Sequence, residues 1–157
     1  NPMPRVPKVT SNTQEVYLKA VRDLLSGKGM ANPKAEITQL LRVDLDNDGE
    51  EEVIMSASHF KNREEMLMAT AGDYSFVALR RLVDDKVQTQ LFTGVFYPKA
   101  DENAAPSVHE VAGLLDLDGD GALEVLVRST YYEGGGMTVW QLQKGKLVKV
   151  LEIACGV

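Results

Sequence analysis

The chain has 157 residues, 44% of them hydrophobic, and a formal net charge of −6. That is enough for one domain with a real core, or for two small repeats sharing one. No apolar run approaches the ~20 residues of a membrane-spanning helix, and no basic cluster marks a nucleic-acid surface.

In chain order, residues 1–10 carry Pro2, Pro4 and Pro7 and read as an extended lead-in. Their opening, N-P-M-P, is compatible with a leader already removed. Residues 11–27 predict the one helix. Ser11 or Asn12 can cap it, with Asn12 and Glu15 approximating a capping box. Val16, Tyr17, Ala20, Val21, Leu24 and Leu25 recur at three-and-four spacing and give one apolar face for core packing. Gly27 stands where a glycine ends a helix. Beyond it the pattern becomes that of strands. Residues 37–43 and 53–60 flank an acidic loop, and 75–83 with 87–92 predict a hairpin around D-D-K. A linker follows over 93–108, polar and proline-bounded at its centre. The pattern then restarts: a strand at 109–115, a second acidic loop, a strand at 125–132, and a closing hairpin through M-T-V-W-Q-L-Q, K-G and K-L-V-K-V-L-E-I.

The restart is an internal repeat. The acidic loops lie 72 residues apart (Asp44 to Asp116), and the hairpins after them lie 60 apart (Lys86 to Lys146). The difference falls in one connection, long over 61–74 in the first copy and short over E-G-G-G (133–136) in the second. Repeats take their insertions in loops. The predicted fold class is mostly β: two propeller-blade-like four-stranded antiparallel repeats, 37–92 and 109–153, plus one N-terminal helix in one compact domain. In the long connection, Glu64, Glu65, Met66 and Met68 predict a short amphipathic helix over a sheet edge. His59 and His109 sit in no metal-spacing or triad motif and read as surface or strand-packing residues. Cys155, within an apolar run of Val150, Leu151, Ile153 and Ala154, reads as a small buried residue rather than a reactive thiol.

The acidic loops carry the chemistry. Numbered from Asp44, positions 1, 3 and 5 are Asp44, Asp46 and Asp48, position 6 is Gly49 and position 9 is Glu52. The second loop has Asp116, Asp118, Asp120, Gly121 and Glu124 in the same places. Alternate acids line the inside of a tight curve, the glycine permits the bend, and the carbonyls of Glu50 and Ala122 at position 7 can turn inward. This is an all-oxygen donor set, suited to a hard cation. Calcium, with six to eight oxygens in flexible geometry, fits it better than magnesium. A plain Asp-Gly turn needs one acid, not four at fixed positions twice over. An EF-hand needs a glutamate at position 12 and flanking helices; position 12 is Met55 or Val127, and strand-like residues follow. Two divalent cations would offset four of the six net negative charges.

D-L-D-N-D-G-E-E-E-V-I and D-L-D-G-D-G-A-L-E-V-L resemble the D-x-D-x-D-G-x-x-[D/E] turns of FG-GAP/VCBS-type repeats, found in integrin-α-like β-propellers. The resemblance implies a calcium turn between outer strands of a blade, with ligands from positions 1, 3, 5, 7 and 9. Two departures stand out: glutamate rather than aspartate at position 9, and two copies, which cannot close a ring. The sheets can pack face to face, the helix can cap an edge, or the chain can oligomerise.

Tyr131, Tyr132, Glu133 and Trp140, around a glycine run, are a candidate protein- or glycan-binding platform; their alternative is a strand end, a glycine turn and a core tryptophan. No G-x-S-x-G, H-E-x-x-H, phosphate-binding loop or C-x-x-C is present. The sequence thus predicts a non-catalytic binding or adhesion-type module stabilised by two structural calcium ions. Calcium sites of extracellular modules can be as weak as ~10⁻⁴–10⁻³ M and stay empty where calcium is scarce, so the protein is expected to be secreted, periplasmic or envelope-associated. The alternatives are an enzyme or enzyme inhibitor using the Tyr131–Trp140 loop, and a structural fragment completing a larger β assembly.

Overall fold

A computed structural model gives the structure of residues 1–62 and 67–156. In chain order its elements are β1 (Lys8–Val9), α1 (Glu15–Gly27), β2 (Ile37–Val43), β3 (Glu52–His59), β4 (Tyr74–Val83), β5 (Lys86–Phe96), β6 (Val108–Leu115), β7 (Glu124–Tyr131), β8 (Gly134–Gln143) and β9 (Lys146–Gly156). They form two antiparallel sheets, β1-β2-β3-β4-β5 and β6-β7-β8-β9. Among the described residues the fold is therefore mostly β with a single helix, as the sequence predicts.

The two copies match in detail. Each acidic loop joins the first pair of strands in its copy, closed by Val43 opposite Glu52 and by Leu115 opposite Glu124. The later hairpins turn at Asp84-Asp85 and Lys144-Gly145, all four with positive φ. That conformation suits the right-handed twist of the flanking strands.

Three layers result. Val43, Ile54, Val77, Leu79 and Phe92 of the first sheet meet Val111, Leu114, Val125 and Val127 of the second in one core. Alternate residues on the opposite face of the first sheet, Met55, Ala57, Phe76 and Ala78, pack with Val21 and Leu25 of α1 in another. Strands β3 and β4 are buried on both faces and so read as nearly continuous apolar runs. The helix covers a face of the first sheet rather than an edge.

Several local expectations need correction. The lead-in is not merely extended: Lys8 and Val9 pair with Arg42 and Leu41, adding a fifth strand to the first sheet. The helix begins later than its polar residues suggest, with Gln14 as an N-cap that makes no side-chain cap. Asn12 instead donates its side-chain amide to the Ile37 carbonyl (2.9 Å), tying the approach to β2. Val16 is exposed. Gly27 is the last helical residue, and the C′ glycine is Gly29, at φ 83°. Met30 N–H bonds the Leu25 carbonyl and Gly29 N–H the Ser26 carbonyl. That is a Schellman closure, with Met30 buried beside Leu25 as its hydrophobic contact. The run E-G-G-G is not a glycine turn; Gly134, Gly135 and Gly136 are already in β8, paired with Tyr131, Thr130 and Ser129. β5 extends to Phe96 inside the expected linker. Cys155 is exposed on β9, because no described residue covers that part of the second sheet. The helix expected over Glu64, Glu65 and Met66 lies outside the described residues, while Met68 is exposed in a bend.

Candidate metal centres

Each loop is wound by the same three hydrogen bonds. The position 1 carboxylate accepts the position 6 N–H: Asp44 from Gly49 (3.1 Å) and Asp116 from Gly121 (3.2 Å). Position 5 accepts from position 7: Asp48 from Glu50 and Asp120 from Ala122, both at 2.8 Å. Position 9 accepts from position 2: Glu52 from Leu45 (2.9 Å) and Glu124 from Leu117 (2.7 Å). Gly49 and Gly121 both sit at φ 94°, where a side chain is strained.

The winding brings acids together. Carboxylate oxygens of Asp44, Asp46 and Asp48 lie within 4.8 Å of one another, as do those of Asp116, Asp118 and Glu124. Two acidic clusters that can hold metal ions are thus present, each containing three of the four expected carboxylates. Asp48 completes the first trio and Glu124 the second; Glu52 and Asp120 stand outside. Glu50 and Ala122 supply backbone at position 7. Glu51, at position 8 of the first loop, faces Lys8 (2.5 Å) and Arg42 (3.2 Å) instead.

The electrostatics call for positive charge. Burial pushes the Glu52 carboxyl up to about 7, and the neighbouring Asp46 and Asp48 charges add to the rise. Asp46 Oδ1 is withdrawn from solvent without a hydrogen-bond partner among the described residues, a deficit that a coordinated cation would remove. The residues present therefore fit a hard divalent ion.

The loops also touch each other. Leu123 N–H donates to the Leu45 carbonyl (2.7 Å). Arg5, from the lead-in, donates to the carbonyls of Asp44 (2.6 Å), Leu45 (3.2 Å) and Gly121 (2.6 Å) and to Asn47 Oδ1 (3.1 Å). Asp116 N–H bonds the Pro2 carbonyl (2.8 Å). Sequence reasoning missed Arg5: it sits 39 residues before one loop and 116 before the last residue it contacts, and no local pattern announces it.

No family model, curated protein or solved structure matches this chain. What the loops can do is therefore argued from their own donor atoms.

The aromatic platform does not assemble. Trp140 lies opposite Val125 on β8, six positions from Gly134 opposite Tyr131, ~20 Å along a strand. Its ring meets Phe92 edge-on at 5.9 Å, its Nε1 donates to Thr138, and it packs against the inter-sheet core. Tyr131 and Tyr132 meet edge-on at 5.9 Å at the far end of the sheet, where Glu133 is exposed. His59 pairs with Glu36 at 3.3 Å. His109 is buried in the strand packing: its N–H donates to Ser75 Oγ (2.8 Å) and its Nδ1 meets Ser129 Oγ at 2.7 Å.

Proposed function

We propose that this chain is a calcium-stabilised, non-catalytic binding or adhesion-type module of the cell exterior or envelope, with one structural calcium ion in each loop. The observation that carries this reading is the duplicated loop: carboxylates at the same four sequence positions, wound by the same three hydrogen bonds, with three of the four brought close together in each. The likeness of both turns to those of FG-GAP/VCBS-type repeats supports the same choice. A structural role fits loops that bind each other and the lead-in, because an ion there would stiffen the junction of both sheets. Such sites work at calcium concentrations of ~10⁻⁴–10⁻³ M, which are extracellular.

Calorimetry in EDTA and then in calcium tests it. With free calcium ~100-fold above Kd, each site adds about 2.7 kcal/mol, and the unfolding temperature should rise by roughly 5–10 °C per site. An unfolding temperature that does not move with calcium would remove the reading.

A second reading has its own observation. Leu151 and Ile153 on β9, the outer strand of the second sheet, are 53% and 60% exposed. That edge favours a fragment completing a larger β assembly, through a second copy or a partner sheet. Sedimentation of the protein and of an Ile153→Lys variant across a concentration range tests it.

A further inference from the structure

We infer that the two loops are unequal cation sites, loop 116–124 the tighter, and that the side chain at one equivalent position, Arg81 or Gln141, sets the difference. The inference rests on the proposed reading of the loops as calcium sites.

The equivalence is one of register. Val53 and Val125 each follow the position 9 glutamate, and they lie opposite Arg80 and Trp140. The next residues, Arg81 and Gln141, therefore occupy the same place beside their loops. What they do there differs. Arg81 Nη2 lies 3.8 Å from Asp46 Oδ2, with its side chain only 14% exposed. Its Nε is buried without a hydrogen-bond partner among the described residues. A guanidinium does not lose its charge in a protein, so loop 44–52 already has a fixed cation on its position 3 ligand. An entering calcium ion must share that carboxylate and bear the repulsion of a neighbouring positive charge, weakly screened because the group is largely buried.

Gln141 brings no charge. Its Nε2 donates to Asp118 Oδ2 and to Glu124 Oε1, both at 3.1 Å. It thereby draws positions 3 and 9 together, and this is the loop whose close trio includes its position 9 glutamate. Carboxylate oxygens accept more than one partner, so the amide orients ligands without replacing the ion. A small cavity of ≈ 260 Å³ lined by Asp118, Asp120, Glu124 and Gln141 opens beside this loop and gives the ion a way in. One loop is preset with a competing cation, the other with a neutral clamp.

Calcium titration calorimetry on the whole chain, after chelator removal, tests this. The wild type should show two constants. Asp116→Ala should remove the tighter and Asp44→Ala the weaker. Arg81→Gln should tighten the weaker constant about tenfold, Arg81→Lys should leave it near wild type, and Gln141→Arg should weaken the tighter constant about tenfold, the scale of one partly screened charge. Circular dichroism confirms folding of each variant first; if the aspartate variants do not fold, the Arg81 and Gln141 variants carry the test alone. Calcium binding with a weaker constant that ignores Arg81→Gln would overturn this inference and leave the loops as sites. No calcium heat in the wild type would overturn the reading of the loops, and this inference with it.

Discussion

A single buried histidine links sequence to acid sensitivity. His109 was legible as a strand residue but not as a buried one; its surroundings come from Ser75 and Ser129, 34 and 20 residues away. Burial lowers its pKa to about 4, and its Nε2 has no hydrogen-bond partner among the described residues. The unfolded chain, with a histidine near 6.5, therefore takes up the proton first as pH falls. The stabilising effect of the neutral ring is full above about pH 6.5 and is lost as pH falls from there towards 4, on the order of 2–3 kcal/mol. Chemical denaturation of wild type and His109→Gln across pH 4–7.5 checks this. The wild-type curve should fall more steeply over that window, and because both proteins share the loop carboxylates, the difference isolates the imidazole. Parallel curves would show that the imidazole binds its proton equally in the folded and unfolded chain, and would overturn this prediction.

At the scale of elements, periodicity and loop spacing made every strand after the helix legible, since a strand's alternation and a turn's glycine are local facts. What joins the elements was not. β6 is an edge strand of the second sheet, and its ladder to β7 shifts between Val111 and Gly113. Gln39 of β2 bridges to it: Oε1 accepts the Val111 N–H (2.8 Å) and Nε2 donates to the Val111 carbonyl (3.1 Å). Ser56 Oγ in turn donates to Gln39 Oε1 (2.7 Å), fixing the amide. A glutamine of β2 thus gives the β6 backbone hydrogen-bond partners in the first sheet. Gln39→Leu removes them and leaves a polar pair between the sheets, a loss of about 2–4 kcal/mol. Urea unfolding should show it as a lower midpoint at unchanged slope. A loss under ~0.5 kcal/mol would mean that water serves those groups as well as Gln39 does.

For the whole molecule the decisive asymmetry is coverage. The first sheet has α1 on one face and the second sheet on the other; among the described residues the second sheet has a neighbour on one face only. Composition hides this. The end of β9, V-L-E-I-A-C, is as apolar as the buried strands, which is why Cys155 reads as a core residue in the sequence and is exposed in the fold. Burial depends on what stands opposite, and a repeat specifies its own hairpins more directly than the number of layers around them. The equivalent late strand of the first sheet, β5, shows the contrast: its Phe92 is 3% exposed and lies in the inter-sheet core against Trp140. Substitution should separate the two strands. Phe92→Ala leaves a cavity between the sheets and costs about 3–5 kcal/mol. Leu151→Lys and Ile153→Lys remove only exposed surface and should shift the isolated chain's stability by no more than ~0.5 kcal/mol each. The same lysines place charge on an outer strand, the device by which natural sheets block pairing with another chain. A β9 that serves assembly therefore loses concentration-dependent sedimentation in the lysine variants while their unfolding temperatures stay at the wild-type value. Variants that unfold early would instead make β9 a stabilising part of the isolated fold, and variants that sediment as the wild type does would leave its exposed row without an assembly role.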